Sequence, residues 1–139
     1  AHMQIQSLSH TTLYVADQDR ARRFYVDTLG FELRSDMKMG EFRWLTVGPK
    51  GQRQPEMILM PLIAGPAMDA AAVEAIRSLQ AKGALGCGVL ETDDCRGLYE
   101  ALQKKGVTFK VPPTQRPYGL EAILVDDSGN WFSLVQRPA

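Results

Sequence analysis

Two side chains with reactive chemistry stand at matching places in the two halves of this 139-residue chain. His10 lies seven residues before Asp17, and Cys87 lies seven residues before Asp94. An imidazole can bind a metal, act as a general base or anchor a ligand, and a thiol can bind a metal, react or fill apolar space. Residues 1–3 are interpreted as a cloning remnant and start, which leaves His10 as the one histidine for functional arguments.

The balance of charge and hydropathy excludes several classes of protein. Sixteen basic residues balance sixteen acidic ones without a sustained run of either sign, so the charge footprint of a nucleic-acid-binding protein is missing. No apolar segment approaches the length of a membrane span, and the N-terminus lacks the layout of a secretory signal. We therefore expect a cytoplasmic protein with no membrane partner. Two well-separated cysteines do not make a disulfide framework, and both thiols are expected to be reduced.

Hydrophobic periodicity places His10 on the first strand of a β-α-β-β-β unit. Leu13 and Val15 share the strand face opposite His10 and are expected to pack on a helix. Asp17 can cap that helix, apolar residues then recur at helical spacing, and Gly30 ends it. Three further strands are predicted at residues 31–37, 42–48 and 57–62.

The rest of the chain repeats this pattern after a connecting helix. The Ala-rich segment 63–84 carries Pro66 near a helix start and Gly83 just past a helix end. Cys87 then opens a strand and Asp94 opens a helix. Three more strands are predicted at residues 107–111, 119–125 and 131–136. The predicted organisation is one α+β domain over residues 4–139, with module 1 at 4–62, the connecting helix at 63–84 and module 2 at 85–137. Duplicated modules of this kind are expected to share one cavity.

Four segments of the chain carry a resemblance to a known family. They are HTTLYVADQDRARRFYVDTLGFEL, GVLETDDCRGLYEALQKKGVTF, the Pro117-Tyr118-Gly119 turn and the DDSGN turn. Together they resemble the vicinal oxygen chelate superfamily, which includes glyoxalase I, extradiol dioxygenases, fosfomycin-modifying enzymes and bleomycin-type resistance proteins. The resemblance implies two βαβββ modules whose mixed sheets curl around a cavity, and it implies a homodimer.

The same resemblance implies where a metal would bind. The family's metalloenzymes hold a divalent ion with four side chains on inward strand faces, and the matching positions here are His10, Met60, Cys87 and Ser133. Only His10 keeps the usual ligand chemistry, because a thioether suits a hard cation poorly. The register of the fourth strand is open, and Glu56 shares a strand face with Met60. A divalent metal held by His10, Glu56 and Cys87 is therefore the alternative.

We expect a binding protein that needs no metal cofactor and performs no chemistry. The resemblance to bleomycin-type resistance proteins implies sequestration of a bulky, aromatic small molecule, and aromatic and thioether side chains suit such a ligand. The residues expected to contact the ligand are His10, Trp44, Met60, Cys87, Tyr118, Trp131 and Ser133. The alternative function is that of a metal-dependent glyoxalase-like lyase or dioxygenase, which would use His10 with Glu56 or Cys87.

Overall fold

The chain folds into two units, each built on one four-stranded sheet. The computed structural model describes residues 3–139, so residues 1 and 2 of the predicted remnant lie outside the described residues. The first unit ends at Pro61 and the second begins at Leu62. Both predicted βαβββ modules are present, which confirms the predicted α+β fold class.

The first sheet places a parallel edge strand beside three antiparallel strands. Its strands are β1 (His10–Val15), β2 (Glu32–Met39), β3 (Phe42–Gly48) and β4 (Glu56–Pro61). Their order is β1-β4-β3-β2, and β1 runs parallel to β4. Alternate residues of these strands form the buried core of the unit, namely Leu13, Val15, Leu45, Val47 and Leu59. As predicted, Leu13 and Val15 lie on the side of the sheet that meets the helix.

The helix between β1 and β2 begins where the sequence predicts and changes type partway along. In α1 (Gln18–Arg22), the Asp17 carboxylate caps the helix by accepting a hydrogen bond from the Arg20 amide at 2.9 Å. The helix continues as a π-helical segment, Arg23–Thr28, in which Tyr25 is fully buried. Apolar spacing predicts the helix here, but it does not distinguish the wider π-helical turn.

Hydrogen bonds between arginine and aspartate side chains connect α1 to the sheet. The Arg43 guanidinium donates two hydrogen bonds of 2.9 Å to the Asp36 carboxylate and one of 2.6 Å to Asp19 on α1. Arg22 on α1 also donates to Asp36. The hydrogen bonds from Arg43, with that from Arg22, lower the pKa of Asp36 to about 2. Since Arg43 faces the helix, the next residue on the strand, Trp44, faces away from it.

We expect Asp36→Asn to weaken the acid dependence of stability. The pKa of Asp36 is lower in the folded than in the unfolded state, so its ionisation stabilises the fold above about pH 4 and that contribution is lost as the pH falls to about 2. The substitution should lower the free energy of unfolding at neutral pH by about 1–2 kcal/mol, because Arg43 loses its main partner. Urea denaturation across this pH interval measures both effects. The control is Asp19→Asn, whose side chain is 71% exposed. A stability difference between Asp36→Asn and wild type that stays constant down to about pH 2 would contradict the expectation.

The second sheet repeats the topology of the first. Its strands are β5 (Leu85–Glu91), β6 (Thr108–Arg116), β7 (Gly119–Val125) and β8 (Asn130–Gln136). Their order is β5-β8-β7-β6, and the edge strand β5 runs parallel to β8. One face of this sheet packs on a helix through the buried side chains of Leu102, Ala122, Leu124, Phe132 and Leu134.

Both helices of the second unit begin at an aspartate cap. The connecting helix α2 (Ala70–Ala81) is shorter than the predicted segment 63–84, because Asp69 rather than Pro66 marks its start: the Asp69 carboxylate accepts from the Ala72 amide at 2.8 Å. The Asp94 carboxylate caps α3 (Cys95–Lys104) in the same way, as predicted. Among the helices of residues 3–139, none combines the length and apolar character that a bilayer crossing requires.

Candidate functional site

Each sheet has one face against its helix and a second face, which we call the helix-free face. On the first sheet, the helix-free face carries His10 from β1, Glu56 and Met60 from β4, and Trp44 and Thr46 from β3. It therefore brings together three predicted ligand contacts, His10, Trp44 and Met60. The alternative metal ligand Glu56 lies on the same face.

His10 stands in a cluster of polar and aromatic side chains on this face. Its Nε2 atom lies 3.9 Å from Glu56 Oε1, and its Nδ1 atom lies 2.9 Å from the Ser9 hydroxyl. The imidazole and the Trp44 ring are tilted at 58°, with their centroids 5.5 Å apart. The Thr46 hydroxyl donates a hydrogen bond of 2.7 Å to Glu56 Oε1. With 34% and 27% of their side chains exposed, His10 and Glu56 are oriented by neighbours but still accessible.

The parallel pairing of β1 with β4 determines the register that the sequence left open. His10 pairs with Glu56, whereas Tyr14 pairs with Met60. Glu56 and Met60 share a face, as their spacing indicates, but Glu56 is the neighbour of the imidazole. Met60 lies further along the strand and contributes a thioether beside Tyr14.

The helix-free face of the second sheet carries a tryptophan that lies across the edge strand. Trp131 and Ser133 reach this face from β8, and Glu121 reaches it from β7. A Cβ atom built on Gly86 of β5 would stand 2.4 Å from the Trp131 Cζ2 atom. The missing side chain at Gly86 is therefore what leaves room for the indole. Ser133 is buried, and its side chain is hydrogen-bonded to Glu121.

Cys87 lies in a break of the β5 ladder. The pairing with β8 shifts between Gly86 and Gly88, which leaves Cys87 as the extra residue of a bulge. Its side chain is exposed, and its thiol lies 3.6 Å from the Leu85 carbonyl oxygen. Desolvation of the sulfur and the charge of Asp126 raise the pKa of Cys87 to about 11. The thiol is therefore protonated at neutral pH, a state that is a poor nucleophile.

Tyr118 belongs to the wall of a cavity on the second unit. The cavity has a volume of about 340 Å³ and is lined by Val89, Glu91, Tyr118, Glu121, Val135 and Arg137. The Tyr118 hydroxyl donates to Glu121 Oε1 at 2.6 Å, and the Arg116 Nε atom lies 3.6 Å from the same oxygen. Hydrogen bonds from Tyr118 and Ser133 lower the pKa of Glu121, which is a carboxylate at neutral pH. Sequence reasoning found Tyr118 but missed Glu121, since a single glutamate in a strand carries no distinguishing signal.

The candidate ligand side chains do not fit the divalent metal ion that metalloenzymes of the vicinal oxygen chelate superfamily use. A catalytic zinc site needs three protein ligands and an open position. Within residues 3–139, no three side chains of the His, Cys, Asp or Glu type are grouped so that they could hold a metal ion. On the first sheet His10 and Glu56 form a pair, and one Glu56 oxygen already accepts the Thr46 hydroxyl. Two such ligands do not hold a catalytic ion tightly.

The chain belongs to the Glyoxalase/Bleomycin resistance protein/Dioxygenase superfamily, whose family model matches residues 7–134. This confirms the resemblance found in the sequence motifs. Protein YurT of Bacillus subtilis (strain 168) is 35% identical to the chain over 128 residues, covering 91% of this chain and 96% of YurT.

Two solved structures extend the comparison. UcmS2 is 49% identical, with a TM-score of 0.87 and coverage of 96% of this chain and 99% of UcmS2. TnmS3, an antibiotic binding protein from Streptomyces sp. CB03234, is 32% identical, with a TM-score of 0.77 and coverage of 99% of this chain and 100% of TnmS3.

Proposed function

We propose that this protein binds a bulky aromatic small molecule at the helix-free face of its first sheet, without a metal and without altering the ligand. The observation that carries this proposal is the tilted contact between the half-buried Trp44 ring and the accessible His10 imidazole, which is itself paired with Glu56. Such a cluster offers an aromatic surface and polar groups at one place.

The aromatic and thioether side chains around Trp44 supply the apolar part of this surface. Phe42 lies on the same face, with its ring centroid 6.5 Å from that of Trp44. Met37 pairs with Trp44 across β2 and β3 and is 53% exposed. Half-buried rings beside an exposed, flexible thioether are typical of a surface that a ligand covers, because methionine adapts its shape to irregular apolar groups.

The His10–Glu56 pair supplies the polar part. The second oxygen of Glu56 and the imidazole can each form a hydrogen bond with a ligand, which would fix its orientation against the Trp44 ring. In this role His10 is a polar anchor.

The similarity to TnmS3 supports a role in sequestering a small molecule. Because TnmS3 is an antibiotic binding protein, we infer that this chain also binds an antibiotic or a related aromatic natural product and so lowers its free concentration. The sequence also predicts ligand contacts on the second unit, at Cys87, Tyr118, Trp131 and Ser133, and these stay predictions. A homodimer, as implied by the family resemblance, is part of the same proposal.

The proposal is tested by calorimetric titration of chelator-treated protein with a panel of polycyclic aromatic natural products. We expect saturable binding of at least one compound, and recovery of the compound unchanged after release. Absence of binding across the panel would contradict the proposed function. Binding that appears only after a divalent metal is added would contradict its metal-independent form.

The enzyme alternative is favoured by one observation, the pairing of His10 with Glu56 at 3.9 Å. Because this pair offers two ligands where a catalytic zinc site needs three, we expect zinc, nickel, iron and manganese ions to bind without defined stoichiometry. Equilibrium dialysis followed by elemental analysis measures this. One metal ion per chain that is lost in both His10→Ala and Glu56→Gln would establish the alternative.

A further inference from the structure

The cavity beside Glu121 joins an apolar surface to a carboxylate. Val89 is 64% exposed, and Val89 and Val135 give the cavity an apolar lining. The Glu121 side chain, by contrast, is only 12% exposed. A ligand that covers the two valines therefore lies beside a carboxylate that its polar neighbours hold in place.

The Glu121 carboxylate retains capacity to accept a further hydrogen bond. A carboxylate offers about four acceptor sites. Here it accepts hydrogen bonds from Tyr118 and Ser133, and Arg116 is an ion-pair neighbour at 3.6 Å. Because these partners hold Glu121 in its ionised form, a donor supplied by a ligand would make a charge-assisted hydrogen bond.

The cavity lining carries Glu91, Glu121 and Arg137, and each of its two carboxylates has an arginine neighbour. Glu121 is accompanied by Arg116, and Glu91 is ion-paired with Arg137. A ligand ammonium would gain little net attraction beside these arginines, and a ligand anion would gain little beside the carboxylates. A neutral hydroxyl group meets neither difficulty.

We infer that Glu121 accepts a hydrogen bond from a neutral phenolic hydroxyl of an aromatic ligand whose rings lie against Val89 and Val135. This inference rests on the proposed function for the class of ligand, an aromatic small molecule, and it concerns the cavity of the second unit rather than the face of the first sheet. Glu121 is then a specificity-determining residue that distinguishes a hydroxylated ring from its methyl ether.

Two matched pairs of probes test the inference by calorimetric or fluorescence titration at a pH where the phenols are neutral. They are 7-hydroxyflavone with 7-methoxyflavone, and 2-naphthol with 2-methoxynaphthalene. We expect wild-type protein to prefer the hydroxylated member of at least one pair by about tenfold or more. In Glu121→Gln the preference should fall below about threefold, while affinity for the methyl ether stays unchanged.

Glu91→Gln is the matched control, because Glu91 lines the same cavity but is engaged by Arg137; it should keep the preference. Equal wild-type binding of both members of each pair, or a preference that survives in Glu121→Gln, would overturn the inference and leave the proposed function standing. Wild-type binding of none of the four probes would overturn the inference; the proposed function itself fails only if the polycyclic panel is also not bound. The comparison of hydroxylated and methylated probes in wild-type protein needs no substitution. It can therefore overturn the inference even if Glu121→Gln does not fold.

Discussion

Replacement of Gly86 by alanine is expected to lower the free energy of unfolding by about 1–3 kcal/mol and to displace the Trp131 indole. The new Cβ atom would stand 2.4 Å from Cζ2 and 2.7 Å from Cε2 of Trp131, much closer than carbon atoms pack. The indole is a rigid plane, so it has to rotate off β5 or push the strand away. The effect comes from this contact, because the backbone of Gly86 does not have a positive φ.

Denaturant unfolding measures the loss of stability, and tryptophan emission in a Trp44→Phe background reports on Trp131 alone. The matched control is Gly88→Ala on the same strand. A Cβ atom there would lie 3.4 Å from the Phe132 ring, an ordinary contact, so its effect should stay within about 0.5 kcal/mol. If Gly86→Ala and Gly88→Ala proved equally tolerated, with unchanged Trp131 emission, the placement of the indole across β5 would be refuted.

Trp44→Leu is expected to weaken binding of the aromatic ligand by about 10- to 30-fold. Leucine keeps apolar bulk on the helix-free face but removes the ring that contacts His10 at 5.5 Å, and central aromatic contacts of this kind contribute about 2 kcal/mol or more to binding. Titration calorimetry with the tightest compound of the aromatic panel measures the change.

Trp44→Phe provides the comparison, because it retains an aromatic ring at the same position. We expect its affinity to fall between those of wild type and Trp44→Leu. Thermal unfolding of both variants establishes that the sheet remains intact. A Trp44→Leu protein that is folded and binds as tightly as wild type would remove the first sheet from the proposed site.

The features that the sequence predicts well are those set by neighbouring residues. Asp17 and Asp94 cap their helices as expected, because a cap depends on a side chain and an amide three residues away. The strand faces are also predicted, since alternation alone places His10 opposite Leu13. At α2 the sequence prediction follows Pro66 and begins the helix too early, because the capping residue is Asp69.

The features that the sequence does not predict depend on how distant strands align. Alternation shows that Glu56 and Met60 share a face, but only the pairing of β1 with β4 shows that Glu56 is the neighbour of His10. The contact of Trp131 with Gly86 likewise requires the register of β5 on β8. Period-two patterns carry no information about register along a strand, and these site contacts follow from register.

The proposed binding of an aromatic ligand against Trp44 can be measured directly, because the chain contains two tryptophans. In Trp131→Phe, Trp44 is the single tryptophan, and its emission can be followed during titration with the compound that calorimetry shows to bind most tightly. We predict saturable quenching of Trp44 emission that gives the calorimetric dissociation constant. Unchanged Trp44 emission while calorimetry records saturation would contradict the claim.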